Sequence, residues 1–259
     1  MTLRAILTAA ACLVSVSTGC VMDHEVIAHR GASGFAPENT LPAFELAIDR
    51  GCDWIECDVR LSADDAVIVM HDAEVDRTTD GTGLVSDLTL AQLKELDAGS
   101  WYSDEFAGAE VPTLDETLEL VRGSTRLDIE LKAGDTRLAG LVLDAVLGAN
   151  MLDQVILSSF EHEHLMRARE LEPAIQVGPL FNVSMAQALG PDGVLEVARG
   201  FEAPVVIMSL ASFNIEHPLS EYLNTIHEDG RALWLYTIPR ELIRYYSTRG
   251  VDGLITNYP

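Results

Sequence analysis

Lysine is almost missing from this 259-residue chain: Lys94 and Lys132 are the two, and every other basic residue is an arginine. Seventeen basic residues against 41 acidic ones leave a net charge of −24. A field this negative repels nucleic acid and anionic membrane surfaces, which argues against DNA or RNA as partners. It also repels an anionic substrate unless a local cation or metal reverses the sign inside the site. An acidic, lysine-poor surface is compatible with a salt-rich habitat. Cysteine is scarce as well, with four residues, too few and too unevenly placed for a disulfide framework. Cys12 and Cys20 fall in the first twenty residues; Cys52 and Cys57 flank one strand-like run and read as structural thiols. Cys57 alternates with Glu56 and Asp58, so it should face a helix. No internal repeat, low-complexity tract or Pro/Ser-rich linker interrupts residues 25–259. The length suits one large α/β barrel or two small domains.

Residues 1–20 differ from the rest. Arg4 is the lone charge, followed by the apolar stretch Ala5 to Val16 and then Ser17-Thr18-Gly19-Cys20. The run is too short to span a membrane as a mature helix and resembles a secretory signal. Cys20 resembles a lipoprotein acceptor, the one feature that would anchor the chain to a membrane, although Ser17 is a poor match to that motif. We expect an extracytoplasmic, lipid-anchored product. The alternative is a cytoplasmic chain whose translation starts at Met22.

From residue 25 onward, strand-like runs alternate with helical patterns, as a βα architecture requires. The runs are Glu25–His29, Trp54–Leu61, Arg126–Lys132, Val155–Phe160, Ile175–Phe181, Val205–Leu210, Ala232–Ile238 and Gly253–Thr256. Helical patterns include Thr40–Arg50, Thr113–Val121, Arg137–Ala149, His162–Glu172, Gly193–Arg199 and Glu241–Arg249. Eight candidate parallel strands are what a closed (β/α)8 barrel needs, so the expected fold class is an α/β TIM barrel over 25–259. One run, Ala66–His71, follows its predecessor too closely for a parallel crossover. It reads as a hairpin return about Ala63-Asp64 that brings His71 beside Glu56. Residues from about 72 to 111 depart from the βα rhythm and read as an insertion over the barrel mouth.

Glu56 and Asp58 lie two apart on a strand and share one face, as do Asp128, Glu130 and Lys132 on the next. In a barrel that face is the lumen. Carboxylates converging there repel one another and cost several kcal/mol to desolvate unless a cation neutralises them. A hard divalent ion, Mg²⁺ or Ca²⁺, suits an all-oxygen set. The bland alternative is a buried ion-pair network with Glu130 paired to Lys132 or Arg30; for Glu56 and Asp58 it leaves excess negative charge. His29 and His71 end apolar runs and titrate nearest neutrality, which suits an acid–base pair. Arg30 and Lys132 offer positive charge for phosphate oxygens. His162-Glu163-His164 opens a predicted helix and reads as a solvated helix start. Ser158-Ser159 lacks a nucleophile elbow. Asp76-Arg77 reads as a brace for the insertion.

An ordered set of motifs runs from about residue 26 to the C-terminus: His29-Arg30-Gly31, Pro37-Glu38-Asn39-Thr40, Glu56-Cys57-Asp58-Val59, His71-Asp72, Asp76-Arg77-Thr78-Thr79, Pro112-Thr113-Leu114, Glu130-Leu131-Lys132, Ser158-Ser159-Phe160 and Val251-Asp252-Gly253. The set resembles the glycerophosphodiester phosphodiesterases. The resemblance implies a (β/α)8 barrel with a small insertion after the second histidine. It also implies metal ligands at Glu56, Asp58 and Glu130, acid–base groups at His29 and His71, and phosphate contacts at Arg30 and Lys132. Glu38 and Asn39 match a motif that shapes the loop after the first strand. The implied reaction is metal-dependent hydrolysis of a small glycerophosphodiester to sn-glycerol 3-phosphate and an alcohol, with His29 as base and His71 as acid. One departure is Tyr236-Thr237-Ile238-Pro239, where the family carries Trp-Thr-x-Asn; proline removes a polar side chain and a backbone N–H. Two rival readings are a phospholipase D-like or phosphoinositide-cleaving relative acting on intact lipid, and a non-catalytic ligand-binding barrel.

Overall fold

The computed structural model describes residues 24–259, so the leader over 1–20, the anchor at Cys20 and the alternative start at Met22 lie outside the described residues. Eight parallel strands close on themselves: β1 (Glu25–His29), β2 (Trp54–Leu61), β4 (Arg126–Leu131), β5 (Val155–Ser159), β6 (Gln176–Phe181), β7 (Val205–Ser209), β8 (Ala232–Tyr236) and β9 (Gly253–Thr256). Closure comes from β1, which pairs with β2 on one side and β9 on the other, His29 opposite Glu56 and Ala28 opposite Thr256. The expected strands thus occupy their places, with several ending one or two residues early at the mouth. There the chain turns: Thr237 has a left-handed φ of 58° just past β8.

The extra run forms β3 (Val67–Val69), antiparallel to the last residues of β2 with Val59 opposite Val69. Between β3 and α3 (Leu114–Val121) the chain builds a small apolar cluster of its own from Ile68, Met70, Val75, Val85, Leu93 and Val111. It includes the short helix α2 (Leu90–Leu93), closed at its start by a reciprocal Thr89/Gln92 cap.

The barrel wall is covered by α1 (Leu41–Asp49), α3, α4 (Arg137–Gly148), α5 (His162–Leu171), α6 (Val183–Gly200), α7 (Leu219–Glu228) and the short α8 (Ile243–Tyr246). Helix α6 extends well before the expected Gly193–Arg199. It is two helices joined at Gly190, whose φ of 63° and ψ of 179° break the first before Pro191 begins the second. Helix α7 adds to the expected set, with Tyr222, Leu223 and Ile226 buried on one stripe. Among the described residues no helix is long and apolar enough to cross a membrane.

Side chains alternate across each strand, and the two faces build two cores. Outward residues such as Ile55, Cys57, Val59, Leu127 and Ile129 pack under the helices. Cys57 is fully buried there and Cys52 nearly so, both free thiols, as their positions implied. Inward residues Ile27, Trp54, Ile156, Leu180, Ile207 and Trp234 fill the lumen. Trp54 and Trp234 meet edge to face with centroids 5.2 Å apart. The space is made at Gly253, where a Cβ would lie 2.3 Å from the Trp234 ring.

Candidate active site

Above the tryptophans the lumen changes character. Period-2 alternation on β2 and β4 turns Glu56, Asp58, Asp128, Glu130 and Lys132 inward, all less than a tenth exposed. One oxygen each from Glu56, Asp58 and Glu130 lies within 4.8 Å of the others, a spacing that could hold a metal ion. The cations present are Lys132, whose Nζ lies 2.5 Å from Glu130 Oε1 and 2.8 Å from Asp58 Oδ1, and Arg30, whose Nε lies 3.2 Å from Asp58 Oδ2. The Glu130–Lys132 pair anticipated as the alternative to a metal therefore exists. It does not balance the site: four buried carboxylates face Lys132 and Arg30, with Arg60 as a third, more distant cation, and Glu56 Oε1 is buried without a hydrogen-bond partner.

The imbalance appears in the protonation of the cluster. Burial, reinforced by Asp58 and Glu130, pushes Glu56 well above the usual carboxylate range. Burial and the Asp58 charge raise Glu130 to about 7, and burial raises Asp128 to about 7 against a hydrogen bond donated by Ser158. Asp58 alone moves the other way: the Lys132 and Arg30 charges outweigh its burial. A hard dication fits this donor set, since all ligand atoms are oxygens and the surplus charge is negative.

Arg30 is positioned by its backbone. Its φ of 56° is left-handed, and Gly31 follows at 78°, packed so closely on α1 that a Cβ would lie 2.7 Å from the Ala43 carbonyl carbon. This turn aims the Arg30 backbone N–H at Glu56 Oε2, at 2.8 Å, while its Nη1 donates to Glu38 Oε1 at 2.7 Å. Asn39, also left-handed, donates to Asp58 Oδ2 at 2.7 Å and accepts from the Asp58 backbone N–H at 3.2 Å.

The two histidines have different surroundings. His29 is nearly buried, with Nε2 4.0 Å from Glu56 Oε2 and Nδ1 2.6 Å from Asn257 Oδ1. An amide oxygen only accepts, so Nδ1 carries the hydrogen and Nε2 is left free. Burial, with help from Arg30, lowers the His29 pKa to about 4. His71 is a third exposed and its Nδ1 lies 2.5 Å from Asp72 Oδ1. Burial lowers its pKa too, opposed by the negative charge of Asp58. The expected placement of His71 beside Glu56 needs correcting. The bond from Met70 N to Asp58 O continues the hairpin register, so His71 falls opposite Cys57 and works in the field of Asp58. Glu56 has His29 as its neighbour instead. Arg60 fixes this end of the hairpin with two hydrogen bonds to the His71 carbonyl, at 2.7 and 3.0 Å.

All seven residues selected from sequence, His29, Arg30, Glu56, Asp58, His71, Glu130 and Lys132, therefore converge on one mouth. Asp72, Asn39 and Asn257 were not selected, yet each holds one of the seven in place. Asp72 is adjacent to its histidine and so could have been suspected. Asn257 could not, because it reaches His29 across 228 residues through barrel closure. His162-Glu163-His164 needs a second correction: His164 is not solvated but 1% exposed, on the buried stripe of α5 with Leu165 and Ala168. At the mouth's far side Tyr236 packs edge to face on Phe160, and Pro239 starts a turn of 3-10 helix over Arg240–Leu242.

Known proteins share this fold. Residues 29–259 match the glycerophosphoryl diester phosphodiesterase family. A glycerophosphodiester phosphodiesterase of Caldanaerobacter subterraneus subsp. tengcongensis is 36% identical over 239 residues, covering 90% of this chain and 94% of its own. A phosphodiesterase from Oleispira antarctica, solved in complex with the product sn-glycerol-3-phosphate, superposes with a TM-score of 0.78 at 32% identity, over 91% of this chain and 93% of its own. The glycerophosphodiester phosphodiesterase of Agrobacterium tumefaciens gives 0.76 at 32% identity, over 91% and 97%. With its barrel, its acidic cluster and this likeness along nearly the whole described length, the chain belongs to the glycerophosphoryl diester phosphodiesterase family.

Proposed function

We propose that this protein hydrolyses glycerophosphodiesters to sn-glycerol 3-phosphate and a free alcohol, with Glu56, Asp58 and Glu130 as ligands of a divalent ion and His29 and His71 as the acid–base pair. The observation that carries the reading is the surplus of buried negative charge with an imidazole beside Glu56 and another in the field of Asp58. Each imidazole has Nδ1 engaged and Nε2 without a hydrogen bond among the described residues. The product bound to the Oleispira relative supports the substrate class.

A bound Mg²⁺ or Ca²⁺ would polarise the phosphoryl group and lower the pKa of the glycerol hydroxyl next to it. His29, neutral with Nε2 free, takes the proton of that hydroxyl, whose oxygen attacks phosphorus. His71 gives a proton to the departing alcohol oxygen as its bond to phosphorus breaks. In the second stage His71 deprotonates water, which opens the cyclic phosphate, and His29 returns its proton to the glycerol oxygen. Arg30 and Lys132 stabilise the charge that builds on the phosphoryl oxygens. The poles suit the two settings: a buried imidazole with a neutral amide partner favours the base form, and one hydrogen-bonded to a carboxylate favours the acid form.

The test is release of glycerol 3-phosphate from glycerophosphocholine with and without a chelator. Chelation is expected to stop release and a divalent ion to restore it, while His29→Ala and His71→Ala each lose about 10²- to 10⁴-fold. Metal-independent release, or full activity in either variant, would sink the mechanism.

A further inference from the structure

Arg77 lies outside the catalytic cluster, in the segment after β3, and is nearly half exposed. Its partners are nonetheless all side chains of the site. Nε donates to Asp72 Oδ2 at 2.6 Å, and the two terminal nitrogens donate to the two oxygens of Glu38 at 2.9 and 2.7 Å. Asp72 uses its other oxygen for His71 Nδ1, at 2.5 Å. Glu38 Oε1 also accepts from Arg30 at 2.7 Å, and Arg30 reaches Asp58. His71, Asp72, Arg77, Glu38, Arg30 and Asp58 therefore form one unbroken chain of polar contacts. The segment's own apolar cluster does not include Arg77, and the turn beside it is held by Asp76 accepting from Gly83 N–H.

We propose that Arg77 is a positioning residue for proton transfer to the leaving alcohol. It acts through Asp72 on His71, and so rests on the reading of His71 as general acid. A carboxylate bound by a lone imidazole can swing about its bond to Cβ. Anchored on Oδ2 by a guanidinium that is itself fixed by a two-pronged contact to Glu38, it holds the ring's Nδ1–H in one direction. That orientation leaves Nε2–H aimed at the departing oxygen. As the P–O bond breaks, its electron pair stays on the alcohol oxygen, the Nε2 proton moves to that oxygen, and His71 becomes a neutral imidazole still donating Nδ1–H to Asp72. Loss of Arg77 frees the Asp72 arm. The Arg30 arm persists, because Glu38 still binds Arg30 directly.

Two substrates separate this role from a structural one. Choline leaves glycerophosphocholine as an alkoxide that needs a proton; p-nitrophenol leaves its glycerophosphodiester without one. Arg77→Ala is expected to lower kcat/KM for glycerophosphocholine by about 10- to 100-fold, the usual scale for residues supporting a reactive group, and to leave kcat/KM for p-nitrophenol release, which ends before water attacks the cyclic phosphate, almost unchanged. Asp72→Asn should give the same signature, and the double variant should be no worse than the worse single one, since both act on one contact. Equal losses on both substrates, no loss on either, or additive losses in the double variant would overturn the proposal. His71→Ala is measured alongside. If it fails to discriminate between the substrates, the general-acid reading falls and the role of Arg77 with it. If it discriminates and Arg77→Ala does not, only the role of Arg77 falls.

Discussion

On the wall formed by β1, β2 and β4, the inward residues near the mouth are His29, Glu56, Asp58, Asp128, Glu130 and Lys132; the inward residues of β6, β7 and β8, reaching down to the base of the lumen, include Leu180, Ile207 and Trp234. The same alternation of side chains builds both. The apolar wall satisfies itself, with Trp234 lodged against Trp54 and over Gly253. The polar wall does not: its carboxylates are too close and too buried to carry full charge together, and Glu56 Oε1 has no partner. Stability resides on one wall and stored electrostatic demand on the other. Each sharpens the other, because an apolar wall excludes water and strengthens every charge that faces it.

The largest test of this contrast is Glu56→Gln. It should lower kcat/KM by about 10³-fold, or about 4 kcal/mol of transition-state stabilisation. The same variant should melt no lower than the wild type in the absence of metal, since burial already favours the neutral form of Glu56 and the amide keeps an acceptor for the Arg30 backbone N–H. A large drop in melting temperature would mean that the carboxylate serves the fold. The reciprocal change is Trp234→Ala, expected to cost about 3 kcal/mol or more in urea unfolding through the cavity it leaves. The folded variant should keep nearly wild-type turnover; a collapse of activity without loss of stability would erase the division between walls. The smallest effect concerns pH. Glu130 is raised to about 7, so below that pH it holds a proton that an incoming metal must displace. Glu56 is displaced upward as well, so the apparent affinity for Mg²⁺ or Ca²⁺ should fall as pH drops through 7, by about tenfold per unit for each linked proton. Calorimetric titration from pH 8 to 5.5 that finds constant affinity would contradict this.

The polar wall was almost fully legible in the chain, because all of its residues but His29 sit at a two-residue spacing on a strand and spacing alone decides the face. Glu56 and Asp58, or Glu130 and Lys132, could not point anywhere but together. The second tier was not legible. Asn39 on Asp58, Arg77 on Glu38 and Asp72, and Asn257 on His29 are contacts made by loop residues whose positions depend on how the barrel closes. His71 was traced to the correct hairpin yet set against the wrong acid. A shift of register by one residue along β2 moves His71 from opposite Glu56 to opposite Cys57, and the bond from Met70 N to Asp58 O fixes it. His164 misled for a different reason: a polar residue at a helix start was read as solvated, while the buried stripe of α5 runs through it.

What the sequence determined by itself is the repeat of strand and helix, the family motifs and which side of each strand faces inward, all properties of residues close along the chain. The tertiary structure decided which histidine meets which acid, that an asparagine near the C-terminus fixes the ring of a histidine near the start, and that an arginine outside the barrel ties the two arms of the site together. Those are consequences of strand register and barrel closure, which bring residues up to 228 positions apart within hydrogen-bond distance. No local pattern encodes such a meeting, because its energy exists only after the last strand has paired with the first.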